Sequence, residues 1–166
     1  MSTMDNLQEA FAGESQANRK YLAFAKKADD DGMPQVAKLF RAAAEAETIH
    51  AHAHLRVMGG IKSTEENLKE AVAGEADEFQ KMYPEFLALA QEEGNKPAEF
   101  SFKNALAVEE IHHGLYSKAL ESVQGNSDLP ATTIYVCPVC GNTVEGGVPD
   151  TCPICNVAGS KFFEIS

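Results

Sequence analysis

Two copies of the four-residue phrase Glu-x-x-His are the part of this chain best suited to chemistry. They are Glu47-x-x-His50 and Glu109-x-x-His112, and 62 residues separate them. An Ala-Gly-Glu precedes each copy by 33 or 34 residues and contributes Glu14 or Glu75. A glutamate from each of two helices and a Glu-x-x-His from each of two others are the ligands of a two-metal carboxylate site. The four segments together predict a dinuclear iron or manganese centre inside a helix bundle.

The second copy can be read in two registers, since Glu110-x-x-His113 fits the same phrase. The shift of 62 residues and an apolar seam through Tyr116 favour Glu109 and His112 as the inward pair. Glu110 and His113 are then expected in solvent. A single Glu-x-x-His is common on helices. Two copies in register with two further glutamates on apolar faces favour metal ligands, because unpaired buried carboxylates are costly.

Glu78 lies one helical turn after Glu75 and is expected to reach the same site. Four carboxylates balance the charge of two ferrous ions, whereas two ferric ions with one bridging hydroxide need a fifth. A carboxylate that binds only the oxidised state would suit redox cycling better than storage. The alternative is a solvated or hydrogen-bonding glutamate.

Three further residues lie near the predicted ligands. Tyr21 and Tyr83 follow Glu14 and Glu75 by two turns, and their hydroxyls are candidates to support the ligand carboxylates. Plain core tyrosines fit the spacing equally well. His54 is interpreted as a packing or supporting residue rather than as a ligand.

All four cysteines lie near the C-terminus in two knuckles. They are Cys137-Pro138-Val139-Cys140 and Cys152-Pro153-Ile154-Cys155, and eleven residues separate them. Four thiolates at this spacing predict a tetrahedral metal site. Iron there would carry single electrons, whereas zinc would make the site a structural ribbon.

Four long helices must position these side chains. We predict them at about residues 3–30, 34–58, 64–93 and 97–123, with breaks at glycine-containing turns. Pro84 falls inside the third helix and is expected to kink it. In each helix a glutamate or histidine occupies the middle of an otherwise apolar seam.

Composition excludes several classes of protein. Hydrophobic residues make up 44% of the 166 residues, enough for a core, and the net charge of −11 argues against nucleic acid. No apolar run approaches the roughly 18 residues of a membrane span, and no signal peptide is evident. Cysteines confined to one metal motif suit a reducing cytoplasm.

The chain divides into three regions. Residues 1–123 contain an internal repeat that relates Glu14 to Glu75 and Tyr21 to Tyr83, as expected for two helix hairpins around a two-metal site. Residues 124–133 have the composition of a linker. Residues 134–166 form a small unit that must rely on its metal for stability.

In combination these motifs resemble the rubrerythrin family over essentially the whole chain. Besides the two Glu-x-x-His helices and the cysteine knuckles, the matching segments are Gly13-Glu14-Ser15-Gln16-Ala17, Gly74-Glu75-x-x-Glu78 and Met82-Tyr83-Pro84. The resemblance implies an all-α ferritin-like four-helix bundle followed by a small rubredoxin-like four-cysteine domain of short β hairpins and loops. The implied di-iron ligands are Glu14, Glu47, His50, Glu75, Glu78, Glu109 and His112.

The resemblance also implies a peroxidase that reduces hydrogen peroxide with electrons passed through its own four-cysteine iron. His50 and Glu78 would exchange at one iron between redox states. The electron donor would be rubredoxin or an NAD(P)H-dependent reductase. The alternatives are iron oxidation and storage, as in ferritins, and a binding or scaffold protein with zinc in the four-cysteine site.

The connection between the second and third helices predicts a dimer. In ferritin-like bundles these helices run parallel, so the connection must span about 28 Å between ends set by His50 and Glu75. Residues 59–64 reach only about 20 Å. We therefore expect a homodimer in which the first two helices of one chain pair with the last two of another.

Overall fold

The structure, a computed structural model, describes residues 2–166, which fold as two compact units, 2–62 and 63–166. The first unit contains α1 (Thr3–Asp30) and α2 (Pro34–Val57). The helices of the second are α3 (Thr64–Asp77), a π-helical turn (Glu78–Met82), α4 (Tyr83–Glu92) and α5 (Lys96–Gln124). The strands β1 (Ile134–Val136), β2 (Thr143–Glu145) and β3 (Phe163–Ile165) follow, with a 3₁₀ turn at Gly159–Lys161.

Small residues let α1 and α2 pack closely in the first unit. Ala25, Ala37 and Ala44 are buried there, so the two backbones approach without bulky side chains between them. The buried Asn18 donates from Nδ2 to the carbonyl oxygen of Ala44 at 2.7 Å and to Thr48 Oγ1 at 2.8 Å. These bonds fix the register of the hairpin, because a buried amide left unpaired would be destabilising.

In the second unit, side-chain caps define where the long helices begin. Ser63 and Glu66 form a reciprocal capping box at the start of α3, and Asn95 Oδ1 accepts from the N–H of Ala98 at the start of α5. Val108 on α5 and Ala90 on α4 are buried. The predicted helix ends lie within one residue of those observed.

The third predicted helix is interrupted before Pro84 is reached. The interruption begins at Glu78, six residues before Pro84, with a π-helical turn in which the N–H of Tyr83 donates to the carbonyl of Glu78. Pro84 then lies in the first turn of α4, where its missing N–H costs no helical hydrogen bond. The wider turn absorbs the proline that an uninterrupted α-helix could not hold in its interior.

The cysteine region forms a three-stranded antiparallel sheet in the order β2-β1-β3. Tyr135 pairs with Val144 on one side and with Glu164 on the other. The predicted fold class, long helices followed by a small four-cysteine domain of short strands and loops, is confirmed. Within residues 2–166, every helix is too short or too polar to cross a lipid bilayer.

Candidate metal centre

The first unit brings three predicted ligands together. Ligand atoms of Glu14, Glu47 and His50 all lie within 4.8 Å of one another. His50 Nδ1 is 3.2 Å from Glu47 Oε2 and 3.7 Å from Glu14 Oε1. The carboxyl groups of α1 and α2 thus face a single imidazole nitrogen across the hairpin.

A hydrogen bond between Glu14 and Glu47 shifts the pKa values of the two carboxyls in opposite directions. A hydrogen bond with Glu47, followed by burial and the Glu47 charge, raises the pKa of Glu14. The same hydrogen bond, together with one from His50, lowers the pKa of Glu47. Two acids held this close cannot both ionise freely without a cation between them.

The second unit holds the matching cluster. Ligand atoms of Glu75, Glu109 and His112 also lie within 4.8 Å of one another, and His112 Nδ1 is 2.8 Å from Glu109 Oε2. Burial, a hydrogen bond with Glu109 and the charges of Glu109 and Glu78 raise the pKa of Glu75 to about 7. The structure therefore brings Glu109 and His112, rather than Glu110 and His113, to Glu75.

Glu78 starts the π-helical turn close to this cluster. Burial, then the charges of Glu109 and Asp77, raise the pKa of its carboxyl. Burial and the charges of Glu78, Glu109 and Glu75 likewise raise the pKa of the Tyr83 hydroxyl. Glu78 is near enough to sense Glu109 electrostatically, although its oxygens lie outside the three-residue convergence.

The donor set fits iron. Among the described residues, no lysine or arginine forms an ion pair with the acids of either cluster. Carboxylate oxygens and imidazole nitrogens within a few ångströms are suitable ligands for iron or manganese, and bound cations would relieve the repulsion between the paired acids.

The three supporting residues predicted from sequence, Tyr21, Tyr83 and His54, differ in their contacts with the clusters. The Tyr21 ring packs with Phe24 and Phe40, and the Tyr83 ring packs with Phe86 and Phe102. In residues 2–166 neither hydroxyl makes a hydrogen bond to a ligand carboxylate, so their supporting role stays a prediction. His54 lies close enough to Glu14 to lower its pKa through charge, a smaller effect than the hydrogen bond with Glu47 that raises it.

Glu110 and His113, which fit the phrase in the other register, differ in how exposed they are. Glu110 is exposed, as expected. His113 is only half-exposed and packs against Phe79, with ring centroids 5.3 Å apart, so the expectation that it is solvated was wrong. The neighbouring α3–α4 segment covers that side of α5, which the spacing of the phrase alone does not indicate.

The four cysteines converge in the C-terminal region. Cys137 Sγ lies 3.6 Å from Cys155 Sγ, and Cys140 Sγ lies 3.6 Å from Cys152 Sγ. A tetrahedral ion with metal–sulfur bonds of about 2.3 Å separates its sulfurs by about 3.8 Å, so the cage fits one ion. Gly141 and Asn156, at φ of 85° and 62°, provide the left-handed residues that turn the two knuckles.

Backbone donors prepare this cage for thiolate. Burial would raise the pKa of Cys152, but N–H groups of Cys155 and Ile154 donate to its sulfur and bring the pKa to about 6. The buried Asn142 adds its Nδ2 at 3.7 Å from the same sulfur. Burial raises the pKa of Cys140. A metal ion is therefore needed to hold all four sulfurs as thiolates.

Sequence reasoning missed Asn142 and Thr143. Thr143 Oγ1 lies 2.9 Å from His112 Nε2, so a residue of the four-cysteine region touches a predicted ligand of the bundle. A threonine at the start of a short strand carries no motif that indicates this contact.

The comparisons with known proteins agree with these sites. The family model described as rubrerythrin matches residues 5–120, and the one described as the rubrerythrin rubredoxin-like domain matches residues 135–163. The chain is 36% identical to rubrerythrin-2 of Clostridium acetobutylicum, covering 96% of this chain and 95% of that protein. It is also 36% identical to nigerythrin of Nitratidesulfovibrio vulgaris, covering 93% and 82%.

A solved structure extends the similarity to three dimensions. The structure titled as the fully reduced, all-ferrous state of nigerythrin superimposes with a TM-score of 0.59 at 34% identity. The match covers 99% of this chain and 87% of that chain.

The raised pKa of Glu75 gives a test on the metal-free protein. Between its ordinary pKa of 4.5 and about 7, the folded state binds more protons than the unfolded state. The free energy of unfolding must therefore fall as pH rises through that window. Glu75→Gln cannot ionise, so the variant should be more stable than the native chain at pH 8 and equally stable at pH 4. Urea unfolding followed by helical circular dichroism measures both, with Glu110→Gln as the matched exposed control. Parallel pH profiles for the native chain and Glu75→Gln would contradict the assignment.

Proposed function

This chain belongs to the rubrerythrin family, with that family's di-iron and four-cysteine iron sites, and we propose that it reduces hydrogen peroxide to water. The observation that carries the proposal is the pair of carboxylate–imidazole clusters, one in each unit, in the same chain as a four-cysteine cage. Oxygen and nitrogen ligands suit iron that reacts with an oxidant, and four thiolates suit iron that transfers single electrons.

We assign seven ligands to the di-iron site. Six are the residues of the two convergent clusters, and the seventh is Glu78, which joins by carboxylate movement. The full set is Glu14, Glu47, His50, Glu75, Glu78, Glu109 and His112. Cys137, Cys140, Cys152 and Cys155 hold the third iron, and zinc would be a redox-inert substitute.

Reduction of one hydrogen peroxide to two waters consumes two electrons and two protons. Iron held by the glutamates and histidines of the two clusters would supply one electron per ion and Lewis-acid chemistry toward the O–O bond. The protein orients the reaction through its carboxylates and keeps the Tyr83 hydroxyl protonated, since burial and three nearby acids raise the pKa of that hydroxyl. Tyr83 is therefore available as a hydrogen-bond donor at the site.

Glu78 is assigned the mobile carboxylate, exchanging with His50 between redox states. Its position at the start of the π-helical turn supports this role, because the wider turn departs from regular α-helical hydrogen bonding at that residue. Within residues 2–166 the His50 ring makes its polar contacts only through Nδ1, with Glu47 and Glu14, so its Nε2 side is not held.

The four-cysteine site is proposed as the entry point for electrons. Iron held by Cys137, Cys140, Cys152 and Cys155 would supply one-electron chemistry, so each peroxide would require two electrons from the donor. The donor is an external carrier such as rubredoxin or an NAD(P)H-dependent reductase. Thiolates of this kind persist in reducing compartments, and we therefore place the protein in the cytoplasm.

We further propose a swapped homodimer, in which α1–α2 of one chain meets α3–α5 of its partner. The connection from Met58 to Ser63 reaches only about 20 Å when fully extended, short of the roughly 27 Å between ends set by His50 and Glu75. Each unit also leaves large apolar side chains exposed, Leu39 and Ile49 in the first and Leu89 and Phe100 in the second. Surfaces of this kind favour burial against another copy.

Removing the Glu78 carboxylate tests its role. Glu78→Ala should retain the iron of both sites but lose at least about 90% of peroxide turnover, because no fifth carboxylate balances the oxidised charge. Iron content by emission spectroscopy and anaerobic peroxide consumption measure the two effects. Glu110→Ala, exposed on α5, is the control and should keep full turnover. Full turnover in Glu78→Ala would contradict the role.

A complementation experiment tests the swap. One variant carries Glu14→Ala and Glu47→Ala, the other carries Glu75→Ala and Glu109→Ala, and each alone should be inactive. In a swapped heterodimer, one of the two sites combines the intact α1–α2 of one chain with the intact α3–α5 of the other. About half of the dimers that form at random are heterodimers, so unfolding and refolding the mixture should recover about one quarter of native activity. Differently tagged chains report how much heterodimer forms. Heterodimers without activity, or a purely monomeric native protein with full iron, would refute the swap.

A further inference from the structure

Thr143, the first residue of β2, connects the four-cysteine region to a ligand of the di-iron site. Its Oγ1 lies 2.9 Å from His112 Nε2 on α5 and 3.1 Å from the carbonyl oxygen of Gly141. Gly141 directly follows Cys140 in the first cysteine knuckle. The Thr143 hydroxyl thus contacts both the first cysteine knuckle and the His112 imidazole.

The number of protons on each group determines which atom donates in the two Thr143 contacts. A threonine hydroxyl has one proton, and the carbonyl of Gly141 can only accept it. Toward His112, Thr143 Oγ1 must therefore act as acceptor, and Nε2 must carry the proton. In a neutral imidazole the lone pair is then on Nδ1.

The lone pair on Nδ1 faces the other two residues of its ligand cluster, Glu75 and Glu109. Nδ1 lies 2.8 Å from Glu109 Oε2, which as a carboxylate oxygen is also an acceptor. Two acceptors at this distance require a cation or a proton between them. The Thr143 contact thus selects the imidazole form that can bind a metal through Nδ1.

Strand β2 is fixed to α5 by a second contact. Lys118 Nζ on α5 lies 2.5 Å from Glu145 Oε2, at the other end of the strand. Lys118 and His112 are separated by six residues on α5, so the strand is attached at two points along the helix. This attachment keeps the Thr143 hydroxyl in place.

His50, the counterpart of His112 in the internal repeat, has no such partner. Within the described residues its ring contacts only the carboxyls of Glu47 and Glu14, both through Nδ1. Thr143 contacts the His112 ring at Nε2, whereas among the described residues of the same chain no polar contact holds the His50 ring at that nitrogen.

We infer that Thr143 is a positioning residue that fixes His112 in its Nε2-protonated form, so that the ordered four-cysteine domain contributes to metal binding in the bundle. The inference rests on the proposed di-iron site. It also accounts for the difference between the two histidines: His112 stays in place while His50 can leave and return. Metal bound by the cysteines orders the Gly141–Thr143 segment, and thereby strengthens metal binding by Glu75, Glu109 and His112.

The test uses the full chain with one equivalent of Zn²⁺, which the four thiolates bind in preference to the bundle. Long-range ¹H–¹⁵N spectra of histidine-labelled protein, with further Zn²⁺ bound in the bundle, report whether His112 binds the metal through Nδ1 and keeps its proton on Nε2. Anaerobic Fe²⁺ titration against a chromophoric chelator then reports the affinity of the bundle site. The variants are Thr143→Val, Thr143→Ser as the conservative rescue, and Thr151→Val as an exposed control in the same domain.

Thr143→Val should convert His112 to a mixture of forms, with the proton on Nε2 in some molecules and on Nδ1 in others. It should also weaken Fe²⁺ binding by about 10-fold to 100-fold. Thr143→Ser and Thr151→Val should keep the native spectrum and remain within about threefold of native affinity. A native His112 spectrum in Thr143→Val, or equal losses in Thr143→Ser, would overturn the inference. Failure of the native chain to bind Fe²⁺ in the bundle would instead overturn the di-iron assignment, and the spectra would still decide the role of Thr143.

Discussion

Opposed carboxyl groups on neighbouring helices are the constraint on which the rest of this structure depends. Glu14 faces Glu47 in the first unit and Glu75 faces Glu109 in the second, each pair with a histidine at i+3 from its second glutamate. Without cations, the hydrogen bond with Glu47 raises the pKa of Glu14, and burial together with the facing Glu109 raises that of Glu75. A bound metal ion relieves the repulsion between the paired acids. Alanine-rich packing keeps α1 and α2 close together and so holds Glu14 opposite Glu47.

The two halves of the repeat share this constraint but differ in what holds their histidines. The second half contains the π-helical turn at Glu78 and the contact of His112 Nε2 with Thr143, whereas in the described residues the His50 ring makes polar contacts only through Nδ1. A site that cycles between charge states needs fixed ligands and movable ones together. In the proposed site, the fixed imidazole is His112, whose Nε2 contacts Thr143 of the four-cysteine domain.

Much of this architecture can be predicted from sequence because periodicity encodes it. Glu-x-x-His on an apolar seam indicates which face of the helix carries the ligands, and the spacing of the cysteine knuckles indicates a closed tetrahedral cage. The π-helical turn, the packing of His113 on Phe79 and the Thr143 contact could not be predicted. Each depends on which surface covers a given side chain, and residue spacing along one helix does not contain that information.

The central claim is that the reduced bundle gives its electrons to peroxide and is then re-reduced through the four-cysteine iron. Stopped-flow spectroscopy of the fully reduced, iron-loaded protein mixed anaerobically with one equivalent of hydrogen peroxide tests it most directly. The account predicts prompt oxidation of the di-iron site, followed by the colour of ferric tetrathiolate as that site gives up its electron, and bleaching when donor is added. An unchanged spectrum after mixing, or di-iron oxidation that never develops tetrathiolate colour, would contradict it.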